Sequence, residues 1–219
     1  MVRVLVLNAG SSTLKFKLYN IESNEKDFTC IAKGSAEEIS SNKPFYKISF
    51  ERSQQTPLHG TIDNCHGHGN VFHFLIDVIV NKTDLLNHPD DIKGVGHRVV
   101  HGGSKYYQPT ILTRQSVQEL DELSDLAPLH NHPSVSVIKE SVEKLKNAVQ
   151  VAVFDTSYHQ TIPEYAYRYA LPYDASAKAN IRRFGFHGTS HKYIYFFFID
   201  IAFLFFSFLD IFKKIWNIE

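Results

Sequence analysis

The first 18 residues limit the fold of this chain more than any other stretch. An almost continuous aliphatic run, Val2–Leu7, predicts a strand that is buried on both faces. In Leu14–Leu18, apolar residues alternate with lysines, which predicts a second, half-buried strand. The short polar residues 8–13 between the two runs predict a tight turn. The chain therefore opens with a predicted β-hairpin.

The turn of this hairpin has the composition of an anion-binding loop. Gly10 permits backbone angles that other residues resist, and Ser11 and Ser12 leave N–H groups and hydroxyls free to face an anion. Lys15 follows the turn, where its ammonium group could reach a phosphate. The spacing of a Walker loop is missing. We interpret the hairpin as phosphate-handling, and composition leaves open the alternative of an ordinary serine-rich turn.

The hydrophobic pattern further along the chain predicts alternating strands and helices. Residues 31–39 are mixed and polar, and residues 54–60 have the composition of a loop. The apolar run Val71–Val80 predicts a helix that continues through Leu86. Such an order indicates an α/β layered fold with a mixed sheet. The other predicted elements are strands at Tyr46–Phe50, Ile92–Val100 and Val149–Phe154, a helix over 117–126 capped by Thr113 or Ser116, a helix over Pro133–Leu145, and a short helix after Pro163.

Charge and cysteine content exclude some classes of function. The chain has 23 lysines and arginines against 23 aspartates and glutamates, so nothing in its net charge favours nucleic acid or an anionic membrane surface. Cys30 and Cys65 match no metal or redox spacing, which suits a reducing cytosol. The strand at Val2 begins without a secretory signal before it. We expect a cytoplasmic protein.

Two charged residues lie at or near predicted strand ends, where open α/β sheets bind their ligands. Arg98 stands within an otherwise apolar strand, so its charge needs a partner or a ligand. The partner could equally be an internal salt bridge. Asp155 directly follows a predicted buried strand and could act as a base or position a nucleophile. An Asx turn or a helix cap is the structural alternative for Asp155.

Histidines occur in two further polar segments. The segment Ala127–Pro133, predicted to lie between two helices, contains His130 and His132, which could bind metal or hold backbone carbonyls. His187 and His191 have the spacing of a zinc protease helix. Gly188 stands where the catalytic glutamate of such a protease would be, so this class is excluded. The residues after His187 instead offer hydroxyl and N–H donors to a charged oxygen.

The C-terminal tail, residues 194–219, differs in kind from the rest of the chain. It is rich in phenylalanine and isoleucine and has neither helical amphipathicity nor strand alternation. We interpret it as an aberrant, frameshift-like end that replaces the true continuation. A membrane anchor is the alternative, although Asp200 within the apolar stretch would be costly in a bilayer.

Taken together, five motifs resemble those of the acetate kinase family of carboxylate kinases. They occur in the family's order, and the resemblance covers about residues 2–193. The family belongs to the sugar kinase/Hsc70/actin superfamily of two-domain ATP-binding folds. The motifs are Asn8–Lys15, Gly96–Gly103, Ala127–Asn131, Phe154–His159 and Arg183–His191.

The resemblance implies a fold, an activity and a set of site residues. The implied fold is an actin-like, ribonuclease H-like ATPase fold with a mixed sheet flanked by helices. The implied reaction is reversible phosphoryl transfer from ATP to acetate with Mg²⁺, giving acetyl phosphate and ADP. The implied roles are Asn8 near Mg²⁺; Ser11, Ser12 and Lys15 on the ATP phosphates; Arg98, Val100 and Leu129 on the substrate, with His130 as a secondary contact; and Asp155 and His187 in catalysis.

The resemblance also implies what this chain lacks. Family members are about twice as long, so we expect a first domain over residues 1–152, the incomplete start of a second, nucleotide-binding domain over 153–193, and then the tail. His132 stands where the family usually has proline. Family members are commonly homodimers. We expect a chain of this length to be nearly inactive. Propionate or another short-chain carboxylate as substrate, and a non-catalytic membrane-anchored fragment, remain as alternatives.

Overall fold

A mixed β-sheet forms the centre of the computed structural model, which describes residues 1–22, 27–51, 55–63 and 67–199. Within these residues the sheet has eight strands in the order β5-β4-β3-β2-β1-β6-β8-β7. The strands are β1 (Val2–Ala9), β2 (Leu14–Ile21), β3 (Phe28–Glu37), β4 (Phe45–Phe50), β5 (Leu58–Thr61), β6 (Ile92–Val99), β7 (Thr110–Ile111) and β8 (Val149–Phe154).

The register of the central strands aligns the residues on which the site depends. The predicted hairpin is confirmed: β1 and β2 are antiparallel, and Asn8 lies opposite Lys15. On its other side β1 is parallel to β6, with Asn8 opposite Arg98. Strand β6 is parallel to β8, with Arg98 opposite Val153. Because β1, β6 and β8 run in the same direction, their carboxyl ends meet at one edge of the sheet.

The helices pack mainly against one face of this sheet. Helices α1 and α3 contact each other and the central strands. Their apolar residues form one core with Leu5, Leu7, Phe16 and Leu18 of the hairpin. The helices are α1 (His68–Lys82), α2 (Arg114–Glu122), α3 (Pro128–Lys144), α4 (Glu164–Tyr167) and α5 (Tyr173–Lys178), with 3-10 turns at Pro89–Asp91, Leu123–Leu126 and Ser157–Thr161. Residues 188–199 are also helical.

The prediction that the first strand is buried on both faces was wrong. Leu5 and Leu7 are buried on the side that α1 and α3 cover, whereas Val6 is 41% exposed. Side chains alternate between the two faces of a strand, so covering one face buries only every second residue. The run has apolar side chains on both faces, but its composition does not indicate which face is covered by other elements.

Three strands were missed: the two-residue β7, and β3 and β5, whose side chains are mostly small or polar. Strand β3 includes residues 31–37 of the segment described as mixed and polar, and the edge strand β5 lies partly within the predicted loop. In β3, Ala32 and Ala36 are fully buried while Lys33 is exposed. A Cβ atom at Gly34 would lie 2.6 Å from the ring of Phe16, so small residues are required beneath that ring. Glycine and alanine have low β-propensity, so the sequence does not predict a strand here. The strand forms because its packing against neighbouring side chains outweighs this low propensity.

The helix predictions were correct in type and less accurate in their bounds. Helix α1 begins at His68, before the apolar run that starts at Val71, and ends at Lys82, before Leu86. Thr113 caps α2: the Ser116 amide donates to its hydroxyl at 3.2 Å, and the Thr113 amide donates to the Ser116 hydroxyl at 2.7 Å. The predicted short helix after Pro163 is α4.

The prediction that the segment Ala127–Pro133 lies between two helices was wrong: Ala127 is the N-cap of α3, and the other residues form the first part of that helix. Pro128 occupies the first helical position, where no backbone N–H is needed, and Pro133 lies inside the helix. Pro133 has no amide to donate to the Leu129 carbonyl, so α3 lacks one hydrogen bond near its N-terminal end. His130 and His132 therefore lie at the start of a helix.

The interpretations of the tail mostly concern residues 200–219, which lie outside the described residues. Residues 194–199 belong to the helix over 188–199. Across the part of the chain that the structure describes, we find no helix with the length and apolar character of a membrane span.

Candidate active site

An ion pair between Arg98 and Asp155 lies at the carboxyl edge of the sheet. Arg98 Nε donates to Asp155 Oδ1 at 3.0 Å, and Nη2 donates to Oδ2 at 2.6 Å. The Asp155 side chain is only 2% exposed and that of Arg98 is 30% exposed. A buried carboxylate needs such a partner, and a guanidinium group matches its two oxygens. The sequence left open whether Arg98 pairs with an internal carboxylate or with a ligand. The structure shows the internal salt bridge, and this salt bridge borders a cavity that could hold a ligand.

The hairpin brings an amide group to the same guanidinium. Arg98 Nη1 donates to Asn8 Oδ1 at 3.0 Å. Three of the five guanidinium N–H groups are thereby engaged by Asn8 and Asp155, while the side chain remains part-exposed. Arg98 can therefore hold its protein partners and still donate to a bound anion.

His187 lies beside the ion pair and has a left-handed backbone conformation. His187 has φ 54°, a region that non-glycine residues seldom occupy. Its Nδ1 lies 3.7 Å from Asp155 Oδ2, and its side chain is 73% exposed. The Gly188 amide donates to the backbone carbonyl of Asp155 at 2.8 Å, which anchors the turn on the end of β8. The imidazole can therefore face both Asp155 and a ligand.

These groups border one cavity of about 560 Å³. It contains Asn8, Arg98, Asp155 and His187, so residues that are far apart in the sequence meet at one place. Two hydroxyl-bearing residues at the start of the helix over 188–199 also line this cavity. The remaining lining residues are Val6, Leu7, His97, Val153, Thr189 and Ser190.

The other predicted site residues lie outside this lining. Lys15 borders a neighbouring cavity of about 760 Å³, which shares Val6 and Asn8 with the first. Ser11 and Ser12 are exposed in the hairpin turn, beside the Gly10 amide that donates to the Thr13 carbonyl at 2.7 Å. Val100 is buried just beyond Arg98, whereas Leu129 is 74% exposed at the start of α3. His130 is also exposed.

Sequence analysis assigned no role to two histidines that support the turn carrying His187. The ring of His101 lies edge-on to Phe184, with centroids 4.5 Å apart. His159 Nε2 lies 3.0 Å from the carbonyl oxygen of Phe186. Both histidines belong to the motifs already quoted, but the residues that they touch are distant in the chain. Spacing within one motif therefore could not identify these contacts.

Burial keeps the nearby core histidines neutral. His97, on β6, is enclosed by the protein, and its Nε2 lies 2.8 Å from Gln150 Oε1, which also accepts from the Ser141 hydroxyl at 2.9 Å. Burial lowers the pKa of His97 to about 4, against a weaker opposing effect of the Gln150 hydrogen bond. Burial also lowers the pKa of His101. Neither residue adds positive charge to the cavity at neutral pH.

The donor set suits Mg²⁺ only in company with phosphate oxygens. Within the described ranges, no group of three or more histidine, cysteine, aspartate or glutamate side chains could hold a metal ion. Asn8 Oδ1 and the Asp155 carboxylate both already accept from Arg98. Protein-bound Mg²⁺ commonly keeps waters and takes one or two protein oxygens plus substrate phosphates. Asn8 could supply one such oxygen to a metal ion that arrives with a nucleotide.

Solved structures of carboxylate kinases share this architecture. An acetate kinase from Porphyromonas gingivalis superposes with a TM-score of 0.78 at 35% identity, over 92% of this chain and 49% of that one. A propionate kinase from Francisella tularensis gives 0.75 at 36% identity, over 89% of this chain and 47% of that one. The expected actin-like α/β fold with a mixed sheet and flanking helices is therefore confirmed. The fold defines the class as carboxylate-kinase-like.

Sequence comparison identifies the family within this class. The acetokinase family matches residues 3–197. An acetate kinase of Halothermothrix orenii is 41% identical over 194 residues, covering 88% of this chain and 47% of that protein. One of Anoxybacillus flavithermus is 41% identical over 194 residues, covering 89% and 47%. The chain belongs to the acetokinase family, and it spans about half the length of the curated relatives that it matches.

Proposed function

We propose that this chain carries one wall of an acetate kinase active site. The reaction of the complete site is reversible phosphoryl transfer from ATP to acetate, giving acetyl phosphate and ADP. The observation that supports this proposal most strongly is the Arg98–Asp155 pair, which borders one cavity together with Asn8 and His187. The family of the chain supports the choice of reaction.

The proposed roles follow from the charge of the transferring group. In phosphoryl transfer, negative charge spreads over the equatorial oxygens, so positioned cations and donors supply most of the catalysis. Arg98 has N–H groups to spare for these oxygens or for the substrate carboxylate. His187 stabilises the transition state, and Lys15, across the hairpin from Asn8, contacts the ATP phosphates together with Ser11 and Ser12.

Asp155 is the proposed acid/base residue that orients the acetate. Its carboxylate is held in one position by the two Arg98 hydrogen bonds and is nearly inaccessible to water. A rigidly held group loses less freedom when the reaction begins. Asn8 would supply one oxygen to a Mg²⁺ ion bound with ATP, and the ion would neutralise phosphate charge.

A second candidate substrate is propionate or another short-chain carboxylate. The similarity to the Francisella propionate kinase favours it, because the two TM-scores are nearly equal. Val100 and Leu129 are the proposed contacts of the substrate's alkyl end. One methylene group changes binding by about 1–3 kcal/mol, so small differences in packing decide the preference.

The residues described here form one side of the proposed active site, and we propose that turnover also needs the residues of the other side. Because the chain spans about half the length of its relatives, we propose that the 219-residue polypeptide alone is nearly inactive. We further propose that the intact protein is a cytoplasmic homodimer.

The test combines turnover with binding. Acetyl phosphate formed by the 219-residue chain is trapped with hydroxylamine in the presence of ATP, Mg²⁺ and acetate or propionate. Turnover at ordinary kinase rates, about 1–100 s⁻¹, would contradict the half-site proposal. Titration of the ¹⁵N-labelled chain with acetate should shift the amide signals of the cavity residues, including His187 and Thr189. The Arg98→Met/Asp155→Asn double variant, which leaves no charge buried, should lose these shifts, and shifts confined to other surfaces would contradict the assigned site.

A further inference from the structure

The turn that carries His187 lies directly on the segment that follows β8. A Cβ atom at Gly185 would be 2.4 Å from His159 Cγ, closer than any side chain allows. A Cβ atom at Gly188 would be 2.3 Å from the carbonyl oxygen of Asp155. The two glycines therefore let the backbone of residues 185–188 approach residues 155–159 at both ends of the turn.

Two hydrogen bonds fix the peptide groups on either side of His187. His159 Nε2 lies 3.0 Å from the Phe186 carbonyl oxygen, which can only accept, so Nε2 carries the hydrogen and donates. The Gly188 amide donates to the Asp155 carbonyl at 2.8 Å. The first bond orients the peptide plane before His187 and the second orients the plane after it. Together they set the backbone angles of His187.

This support is needed because the backbone of His187 is unfavourable by itself. A left-handed, non-glycine residue costs on the order of 1 kcal/mol or more and persists only where its surroundings hold it. The ring of His159 also contacts the rings of Tyr158 and His191 edge-on, each with its centroid 5.5 Å away. These ring contacts help to orient the donor toward the turn.

We propose that His159 is a positioning residue, which holds His187 against Asp155 through the Phe186 carbonyl. The catalytic meaning of that placement rests on the proposed function, whereas the placement itself does not. His159 contacts the turn but does not line the cavity. It acts through the backbone, and the hydrogen bond is the feature that matters.

Two variants separate the hydrogen bond from the packing of the ring. His159→Phe keeps a ring against Gly185 and loses the donor, while His159→Gln loses the ring and keeps an N–H group at a similar reach. The matched control is His59→Ala, which removes an exposed histidine from edge strand β5. Hydrogen exchange of the Gly188 amide and the backbone chemical shifts of His187 are measured on each full chain by NMR, without ligand.

We expect His159→Phe to speed exchange of the Gly188 amide about three- to tenfold, as loss of one hydrogen bond would. Its His187 shifts should move away from left-handed values. His159→Gln and His59→Ala should stay within about twofold of the wild type. Unchanged exchange of the Gly188 amide in His159→Phe would overturn the proposal. Equal acceleration of this amide in the Phe and Gln variants, accompanied by faster exchange of the β8 amides, would also overturn it, because it would indicate general loosening rather than loss of one hydrogen bond. Failure of the proposed function would instead appear as an absent acetate response in the wild type.

Discussion

Arg98 and Asp155, 57 residues apart, form a two-point hydrogen-bonded ion pair at the ends of adjacent parallel strands. Asp155 continues the strand pairing beyond β8, since its amide donates to the Val99 carbonyl at 3.0 Å. The backbone of the sheet thereby holds both ends of the pair. A cation and a carboxylate fixed in this way can orient an anionic substrate without first reorganising.

Replacing Arg98 with methionine should destabilise the fold strongly. The Asp155 side chain would stay buried without its cation, a situation that costs about 3–5 kcal/mol. Urea unfolding at pH 7 measures the loss. The double variant Arg98→Met/Asp155→Asn should recover much of it, because no charge is then left buried.

The exposed pair of Lys139 and Asp121 provides the matched control for that experiment. Its partners are 2.7 Å apart, and their side chains are 49% and 45% exposed. Lys139→Met should cost less than about 1 kcal/mol. Equal losses in the two methionine variants would show that the Arg98–Asp155 pair behaves as an ordinary surface contact.

Gly188→Ala should loosen the turn that carries His187. The added Cβ meets the backbone oxygen of Asp155 at 2.3 Å, and a backbone atom cannot move aside as a flexible side chain can. We expect a loss of about 1–3 kcal/mol in thermal unfolding, with faster hydrogen exchange in residues 185–190.

Gly96→Ala is the corresponding control. No atom lies within 4 Å of the position of its Cβ, so alanine fits within strand β6. Because glycine is unfavourable in a strand, the change should be neutral or stabilising by about 0.5–1 kcal/mol. A stable Gly188→Ala variant would mean that the turn does not press on Asp155 as the structure shows.

Stability should fall as the pH drops below about 6.5, with His97 as a main contributor. Burial lowers the pKa of His97 from 6.5 to about 4, so the unfolded chain binds a proton that the folded chain resists. The contribution is complete above pH 6.5 and is lost towards pH 4, by up to about 3 kcal/mol. Burial lowers the pKa of His68 and His101 in the same direction.

His97→Gln tests the assignment, because glutamine keeps an N–H donor for Gln150 and has no proton to gain. Urea unfolding between pH 7 and 4.5 should show a slope smaller by about one proton in this variant. An unchanged slope would assign the acid sensitivity to other groups.

The hydroxyl of Tyr106 should titrate far above its usual range. Burial is the largest cause, and the carboxylate of Glu119, which accepts the hydroxyl hydrogen, adds to it; together they raise the pKa of Tyr106 to about 12. Hydrogen bonds from Lys105 and then Tyr106 lower the pKa of Glu119 to about 2. Glu119→Gln should lower the Tyr106 pKa towards 10, measured by NMR of ¹³C-labelled tyrosine.

Glu122→Gln is the control for the tyrosine titration, since Glu122 is exposed and accepts from Gln118 on the same helix. It should leave the Tyr106 signal unchanged. A Tyr106 pKa that is insensitive to Glu119→Gln would show that burial alone sets it.

Local patterns were sufficient where a feature depends on near neighbours. Short stretches predicted the β1–β2 hairpin, the strand Val149–Phe154 and a cap on α2 at one of two residues, of which Thr113 is the cap in the structure. Secondary-structure prediction failed where packing against residues distant in the sequence determines the element. Strand β3 forms although its residues are small, because Phe16 from another strand covers Gly34.

The sequence by itself determined the family, the order of most elements and the residue types available for chemistry, because motifs and periodicity are properties of neighbouring residues. Only the tertiary structure decided that Asn8, Arg98, Asp155 and His187 border one cavity while Leu129 is exposed and Lys15 borders the next cavity. The reason is physical: strand order and register join residues that are up to 90 positions apart, and no local pattern records that pairing.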